Sequence, residues 1–227
     1  SIIKFDKKKG LSWSTNLYSK KERKNLMNIS LALSNNKVFV TDNLGKYYAL
    51  NLLNGDILWK KNNNLPFNSE LKVKENKLLS IDTDDVIHCY STKDGTEIWN
   101  FKTSSNFIKV LKRSSLVVLS DDVIFSNSIG DITKINLESG ELIWQIPTLN
   151  TLGMNKSNFL KMSEIVVHNN SLMFSNNNNE FYSLSSKNGV TLWKKNVNSS
   201  LRPVIIDDKV FSITRDGFLI VINANDG

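Results

Sequence analysis

The sequence predicts an all-β protein, a β-propeller of four-stranded antiparallel blades, on three observations. A Gly-x-x-x-Trp phrase returns along the chain. The returns are spaced like propeller blades, near 40 to 50 residues. The stretches between them alternate apolar and polar residues at period two, not 3.6. The phrase reads Asn51-Leu52-Leu53-Asn54-Gly55-Asp56-Ile57-Leu58-Trp59 and again Asn136-Leu137-Glu138-Ser139-Gly140-Glu141-Leu142-Ile143-Trp144, with further copies at Gly95/Trp99 and Gly189/Trp193. Counting Gly10 and Gly227, the marker glycines stand 45, 40, 45, 49 and 38 residues apart. A helical repeat of that period is disfavoured by the Val, Ile, Phe and Tyr content and by the Asn-Gly and Asp-Gly turns that cut the segments.

Taken in order, residues 1–6 and 11–13 read as the last two strands of a blade (unit 1–15), joined through Lys7-Lys8-Lys9-Gly10 and one residue short between Gly10 and Trp13. The first full unit, 16–61, places strands at 28–34, 37–41, 46–51 and 56–61, with the turn Asp42-Asn43-Leu44-Gly45 between the second and third. In the third strand Tyr47 and Ala49 face one way and Tyr48 and Leu50 the other. A strand apolar on both faces belongs in a sheet sandwiched between two others. Unit 62–102 has strands at 77–82, 86–91 and 96–101; unit 103–147 at 116–119, 123–126, 131–136 and 141–146; unit 148–195 at 164–167, 172–175, 181–184 and 190–195. Unit 196–227 has three, at 203–206, 210–214 and 218–223.

About five blades therefore lie in this chain as a single propeller, 1–227, with both ends inside a blade. Either it is part of a larger ring of seven or eight blades, or residues 11–14 close a ring of five. The larger ring is expected, because both ends carry a third strand and closure would leave one too many.

In each phrase the glycine (Gly55, Gly95, Gly140, Gly189) supplies the positive φ that a tight hairpin demands. The tryptophan (Trp59, Trp99, Trp144, Trp193) lies on the outer strand, where its ring can cover the gap to the next blade and its N–H can find a carbonyl. These residues are expected to be structural joints. Function is then sought in the irregular loops, chiefly 148–164 and 196–203.

Composition narrows the function. The single Cys89 and the two separated histidines, His88 and His168, offer no zinc set. The pairs Asp121-Asp122 and Asp207-Asp208 and the run Asp82-Thr83-Asp84-Asp85 fall between strands, where Asp is a turn former. Neither a metal, a cofactor nor a catalytic residue is expected. No Gly-rich phosphate loop, H-E-x-x-H or G-x-S-x-G occurs. The net charge is +7, yet the lysines cluster only at Lys7-Lys8-Lys9 and Lys20-Lys21-Glu22-Arg23-Lys24. The second run holds Glu22 and no interleaved aromatic, so it reads as a solvated loop and not a nucleic-acid surface. No run of about 18 apolar residues is present, and the first six residues lack the regions of a secretory signal. If the protein is exported, its signal lies outside this chain.

With Tyr48-Ala49-Leu50-Asn51 before Gly55 and Trp59, the chain resembles the quinoprotein-type (PQQ-like) repeat family. One branch holds the quinone-dependent dehydrogenases, which use a vicinal disulfide, a calcium or lanthanide ion and an acidic base. The other is the BamB branch, non-enzymatic lipoproteins of the outer-membrane β-barrel assembly machinery. One cysteine and no clustered acids outside turns favour the second. So does the stretch from Trp193 through Leu201-Arg202-Pro203 to Phe211, which is similar to blades of the alphaproteobacterial type, as does the lengthened lead into the first full unit, 18–28. The resemblance implies a periplasmic scaffold contacting BamA-like insertase domains, and nascent β-barrel chains. Membrane association would come only through a lipid anchor outside this chain. It implies partner contacts at Leu201 and Arg202 on one loop and at Glu164 on a neighbouring one. The rival readings are a quinone-dependent dehydrogenase-like protein and a propeller ligand-binding or sensor domain.

Overall fold

A computed structural model describes residues 1–24, 26–104, 112–148, 162–176 and 178–227. Among these, one 3-10 turn at Glu22–Lys24 is the only helical element, and all other regular structure is antiparallel strand. The chain falls into two compact units, Ser1–Asn100 and Phe101–Gly227.

The first unit carries three sheets, with β10 running across its boundary. They are β1 (Ile2–Asp6) and β2 (Gly10–Thr15); β3 (Ile29–Ser34), β4 (Lys37–Asp42), β5 (Lys46–Asn51) and β6 (Ile57–Asn62); and β7 (Lys72–Lys74), β8 (Lys77–Ile81), β9 (Val86–Ser91) and β10 (Glu97–Lys102). The second carries β11 (Leu116–Val118), β12 (Asp122–Ser126), β13 (Asp131–Asn136) and β14 (Leu142–Pro147); β15 (Val166–His168), β16 (Ser171–Ser175), β17 (Glu180–Ser185) and β18 (Thr191–Asn196); and β19 (Val204–Ile206), β20 (Lys209–Ile213) and β21 (Leu219–Asn223). In every sheet the strands follow chain order, which is the meander of a propeller blade.

The period-two pattern builds this directly. Tyr47, Tyr48, Ala49 and Leu50 are all buried, because alternate side chains of β5 enter apolar clusters on opposite faces of its sheet. The outer strands differ: in β6 only Trp59 is partly covered. Lys72-Val73-Lys74 forms the inner strand β7, which the sequence does not announce. With three residues and one apolar side chain, it has no periodicity to read and exists through its pairing with β8.

The phrase carries a β-bulge. Ala49 pairs with Trp59 and Leu50 with Ile57, which leaves Leu58 extra; the same shift recurs between β13 and β14 and between β17 and β18. In the shorter N-terminal copy Lys4 pairs with Trp13 and Phe5 with Leu11, so the bulge survives. The missing residue comes out of the hairpin connection, and Trp13 keeps its place.

Neighbouring sheets within a unit are joined by serines near the start of the inner strands, half-buried Ser30 in the first unit and buried Ser115 in the second. Ser30 Oγ accepts the Leu71 N–H at 2.8 Å, and Ser115 Oγ accepts the Ile165 N–H at 2.9 Å. Ser115→Ala leaves that buried N–H without its acceptor, at about 1–3 kcal/mol. A urea midpoint should fall accordingly, whereas Ser139→Ala, in an exposed turn, should stay within about 0.5 kcal/mol of wild type. Equal midpoints for the two variants would refute the bridging role.

Candidate functional site

The glycines and tryptophans form joints between sheets. Trp13 Nε1 donates to Leu52 O at 3.0 Å, Trp59 to Thr92 O at 3.4 Å, Trp144 to Lys187 O at 3.2 Å and Trp193 to Ala224 O at 3.0 Å. Each ring covers the glycine of the following phrase. A Cβ at Gly55 would lie 2.6 Å from the Trp13 ring, and one at Gly95 2.9 Å from the Trp59 ring. The glycine thus meets two demands, a positive φ of 79° at Gly55 and room for the neighbouring indole.

The acids of the turns are likewise committed to structure. Asp42 Oδ1 accepts the N–H groups of Leu44 and Lys46, both at 2.9 Å, and Asp82 Oδ1 those of Asp84 and Val86 at 2.8 and 3.1 Å. Asn127 and Asn176 do the same in the second unit. Asp122 pairs with Lys134 at 2.7 Å, and Asp208 with His168 at 3.2 Å. Among the described residues, no group of three or more His, Cys, Asp or Glu could hold a metal ion.

The loops are where side chains are left over. Of the stretch 148–164, residues 149–161 lie outside the described residues. The loop before β19 is anchored by Ser199, fully buried, whose Oγ donates to Ile213 O at 2.8 Å and accepts from Ser212 Oγ at 2.9 Å, while its carbonyl accepts from Ser175 Oγ at 2.8 Å. Pro203 is buried at the other end. Between these two anchors the chain pushes Leu201 outward, 55% exposed.

Glu164 is held in a similar way. Ser163 before it is buried and exchanges bonds with Ser175, and Ile165 after it is tied to Ser115. From these two supports the side chains converge. The Arg202 guanidinium donates to Glu164 Oε2 at 3.0 Å, so the three residues expected to contact a partner lie on two adjoining loops, two of them in direct contact. Beneath them Lys112 Nζ donates to Ser200 O at 3.0 Å. Burial holds the Lys112 ammonium below its ordinary pKa; Glu164 opposes that shift and Arg215 adds to it. The exposed Glu164–Arg202 pair adds little stability, about 0–1 kcal/mol. It positions charge beside an apolar side chain, the make-up of a protein-contact surface.

Sequence reasoning, which sets His88 aside as offering no zinc set, misses its two carboxylate partners. His88 is 8% exposed and lies between two carboxylates, with Nε2 3.0 Å from Asp82 Oδ2 and Nδ1 2.7 Å from Glu97 Oε1. Its ring stacks on Tyr90, which stacks on Tyr47 of the neighbouring sheet. Burial works against a charged imidazole, but the hydrogen bonds to Asp82 and Glu97 outweigh it and raise the His88 pKa. The signal available in sequence was faint: an Asp six residues before and a Glu nine residues after a strand histidine.

The sequence matches the family described as outer membrane protein assembly factor BamB over residues 1–227. The chain belongs to this family. Among solved structures it is similar to BamB from Moraxella catarrhalis, with a TM-score of 0.52 at 17% identity, covering 97% of this chain and 78% of that one. It is also similar to the computationally designed Ika8 protein, with a TM-score of 0.65 at 13% identity over 85% of this chain, and to the C-terminal WD40 domain of Sif2, at 0.63 and 16% over 87%. The chain spans 57% and 55% of those two structures. At such identities the likeness carries the fold, a β-propeller. No curated protein matches the sequence.

Proposed function

We propose that this BamB-family chain is a non-catalytic scaffold at the periplasmic side of the outer membrane. In this reading it assists the assembly of β-barrel proteins through protein contacts. It is anchored by lipid outside the chain described here and binds the periplasmic domains of a BamA-like insertase, with nascent barrel strands as a further ligand. The observation that carries the reading is the surface formed by Leu201, Arg202 and Glu164. An exposed leucine and a fixed, exposed ion pair come from two loops that are themselves pinned by buried serines. Arginine and clustered apolar contacts dominate protein interfaces, and a preformed loop loses little entropy on docking.

The residues do not suit the quinone and metal chemistry of the dehydrogenase branch. Cys89 is single and buried, so no vicinal disulfide can form, and Asp42, Asp82, Asp122 and Asp208 are dispersed among separate turns and partners. A pull-down with BamA periplasmic domains tests the proposal. Arg202→Glu puts two carboxylates side by side and should weaken capture by about tenfold or more, and Leu201→Asp by a similar factor. Capture unchanged in both variants would remove the site, and no capture of the wild type would count against the function.

A further inference from the structure

The run Lys20-Lys21-Glu22-Arg23-Lys24 reads in sequence as a solvated loop, but the structure treats it as a built feature. The loop that leads into β3 is fastened over the turn between β4 and β5. The Tyr18 hydroxyl donates to Asp42 Oδ2 at 2.9 Å, the Asn43 N–H to Asn28 O at 3.1 Å, Asn43 Nδ2 to Leu26 O at 3.0 Å and the Asn28 N–H to Asn43 Oδ1 at 3.0 Å. Leu17 and Tyr18 are buried, and Met27 packs against the same cluster.

The charges are sorted in the same way. Glu22, the one acid in the run, is turned back to the Lys46 ammonium and the Ser19 N–H, bonds that hold it far below the carboxylate range, at about 2. Asp42 is used up by Tyr18 and two backbone N–H groups. Lys20, Lys21, Arg23 and Lys24 all remain exposed, and none of them makes an ion pair among the described residues. Beside them Leu26 is the most exposed large apolar side chain described, at 86%, although its own carbonyl is tied down.

Four exposed cations followed closely in the chain by an exposed leucine, on a loop held by at least five bonds, match the requirements of an anionic bilayer surface. Cations meet headgroup phosphates without fixed geometry, and one apolar side chain enters the interface. A nucleic acid would need exposed aromatic platforms, and the loop's one aromatic, Tyr18, is buried. An acidic protein would gain more from bidentate arginines than from three lysines and one arginine. The first unit also carries the larger share of the positive charge. Residues 1–100 hold 16 Lys and Arg against 11 Asp and Glu, a net +5 of the chain's +7.

We propose that Lys20, Lys21, Arg23, Lys24 and Leu26 form a second, lipid-directed surface that lays the first unit against an anionic phospholipid bilayer. It belongs to the first unit, whereas the Leu201–Arg202 loop belongs to the second. The test is co-sedimentation of the full chain with vesicles of phosphatidylcholine alone and with 30% phosphatidylglycerol. Binding is expected only to the anionic vesicles, falling steeply between about 50 and 300 mM salt. At roughly fivefold per cation lost, K20E/K21E should cut partitioning by at least about tenfold. Leu26→Asp should also cut it, and K7E/K8E, with the same change in net charge, should not. Far-ultraviolet circular dichroism checks that each variant is folded. Equal binding to neutral vesicles, or equal losses from the two double variants, would overturn the proposal in favour of non-specific charge. So would binding to soluble polyglutamate as tight as to the vesicles and indifferent to Leu26→Asp, which would assign the surface to an acidic protein.

Discussion

Gly55→Val should destabilise the first unit by roughly 3–5 kcal/mol, a strained positive-φ residue adding to an overpacked contact. At Gly55 φ is +79°, and a Cβ there would come within 2.6 Å of the Trp13 ring and 2.7 Å of Thr15 Oγ1. Neither neighbour can withdraw freely, since Trp13 Nε1 is bonded to Leu52 O and Thr15 Oγ1 to Gly55 O. Gly10→Val separates the two contributions. Gly10 has the same φ, +79°, but nothing lies within 4 Å of its Cβ, so only the backbone strain remains, about 1–3 kcal/mol. Urea unfolding followed by tryptophan fluorescence compares them directly. If the two variants lose equal stability, the interlocking of glycine and tryptophan is not what joins the sheets.

The second large effect is expected at His88 and depends on pH. The folded pKa of His88 is raised above its ordinary 6.5 by Asp82 and Glu97 against the opposing effect of burial, and the Asp82 pKa is lowered. Burial works against the charged form of Asp82 as well; the bonds from His88, Asp84 and Val86 more than offset it. For histidine the sign is that stability is fully present below pH 6.5 and is lost as pH rises through the raised folded value. For Asp82 the added stability is present above about pH 4 and lost as pH falls through its depressed value. The first unit should therefore be most stable between these limits and soften toward the alkaline side. The groups facing the imidazole are Asp82, Glu97 and Tyr90, and on Tyr90 stacks Tyr47 of the neighbouring sheet, whose pKa burial pushes up to about 12. Both tyrosines therefore stay neutral throughout this range.

His88→Gln removes the charge and leaves the buried Asp82 carboxylate with its backbone donors alone. The loss should be roughly 2–3 kcal/mol at pH 6, shrinking as pH rises through the raised folded pKa of His88. Urea midpoints measured from pH 5 to 9 check this. A wild-type profile that is flat above pH 6, or a variant with the same slope as wild type, would refute it.

Much of the fold was legible because its signals are local. A hairpin glycine, a tryptophan four residues on and alternating side chains all lie within ten residues of one another, and sheets that meander in chain order need no distant pairing to be inferred. β7 escaped because three residues with a single valine carry no period. The serine bridges escaped because Ser30 and Leu71, or Ser115 and Ile165, are some forty to fifty residues apart, and a serine at a strand start looks the same whether its hydroxyl is in water or under a neighbour's N–H. Arg202 and Glu164 are named one at a time, through the resemblance to the family. Their contact at 3.0 Å across 38 residues could not be read that way.

The sequence by itself determined the architecture, the order and phase of the sheets and the places where glycine is required, since those follow from backbone geometry and the period of the apolar residues. Tertiary structure alone decided which charges are used. It tied Glu22 to Lys46 and left four cations unpaired among the described residues, set His88 between two carboxylates, and placed Arg202 on Glu164. The physical reason is that a charge acts through what surrounds it in space, and those surroundings come from a turn or strand of the same sheet for Glu22 and His88 and from a loop 38 residues away for Arg202.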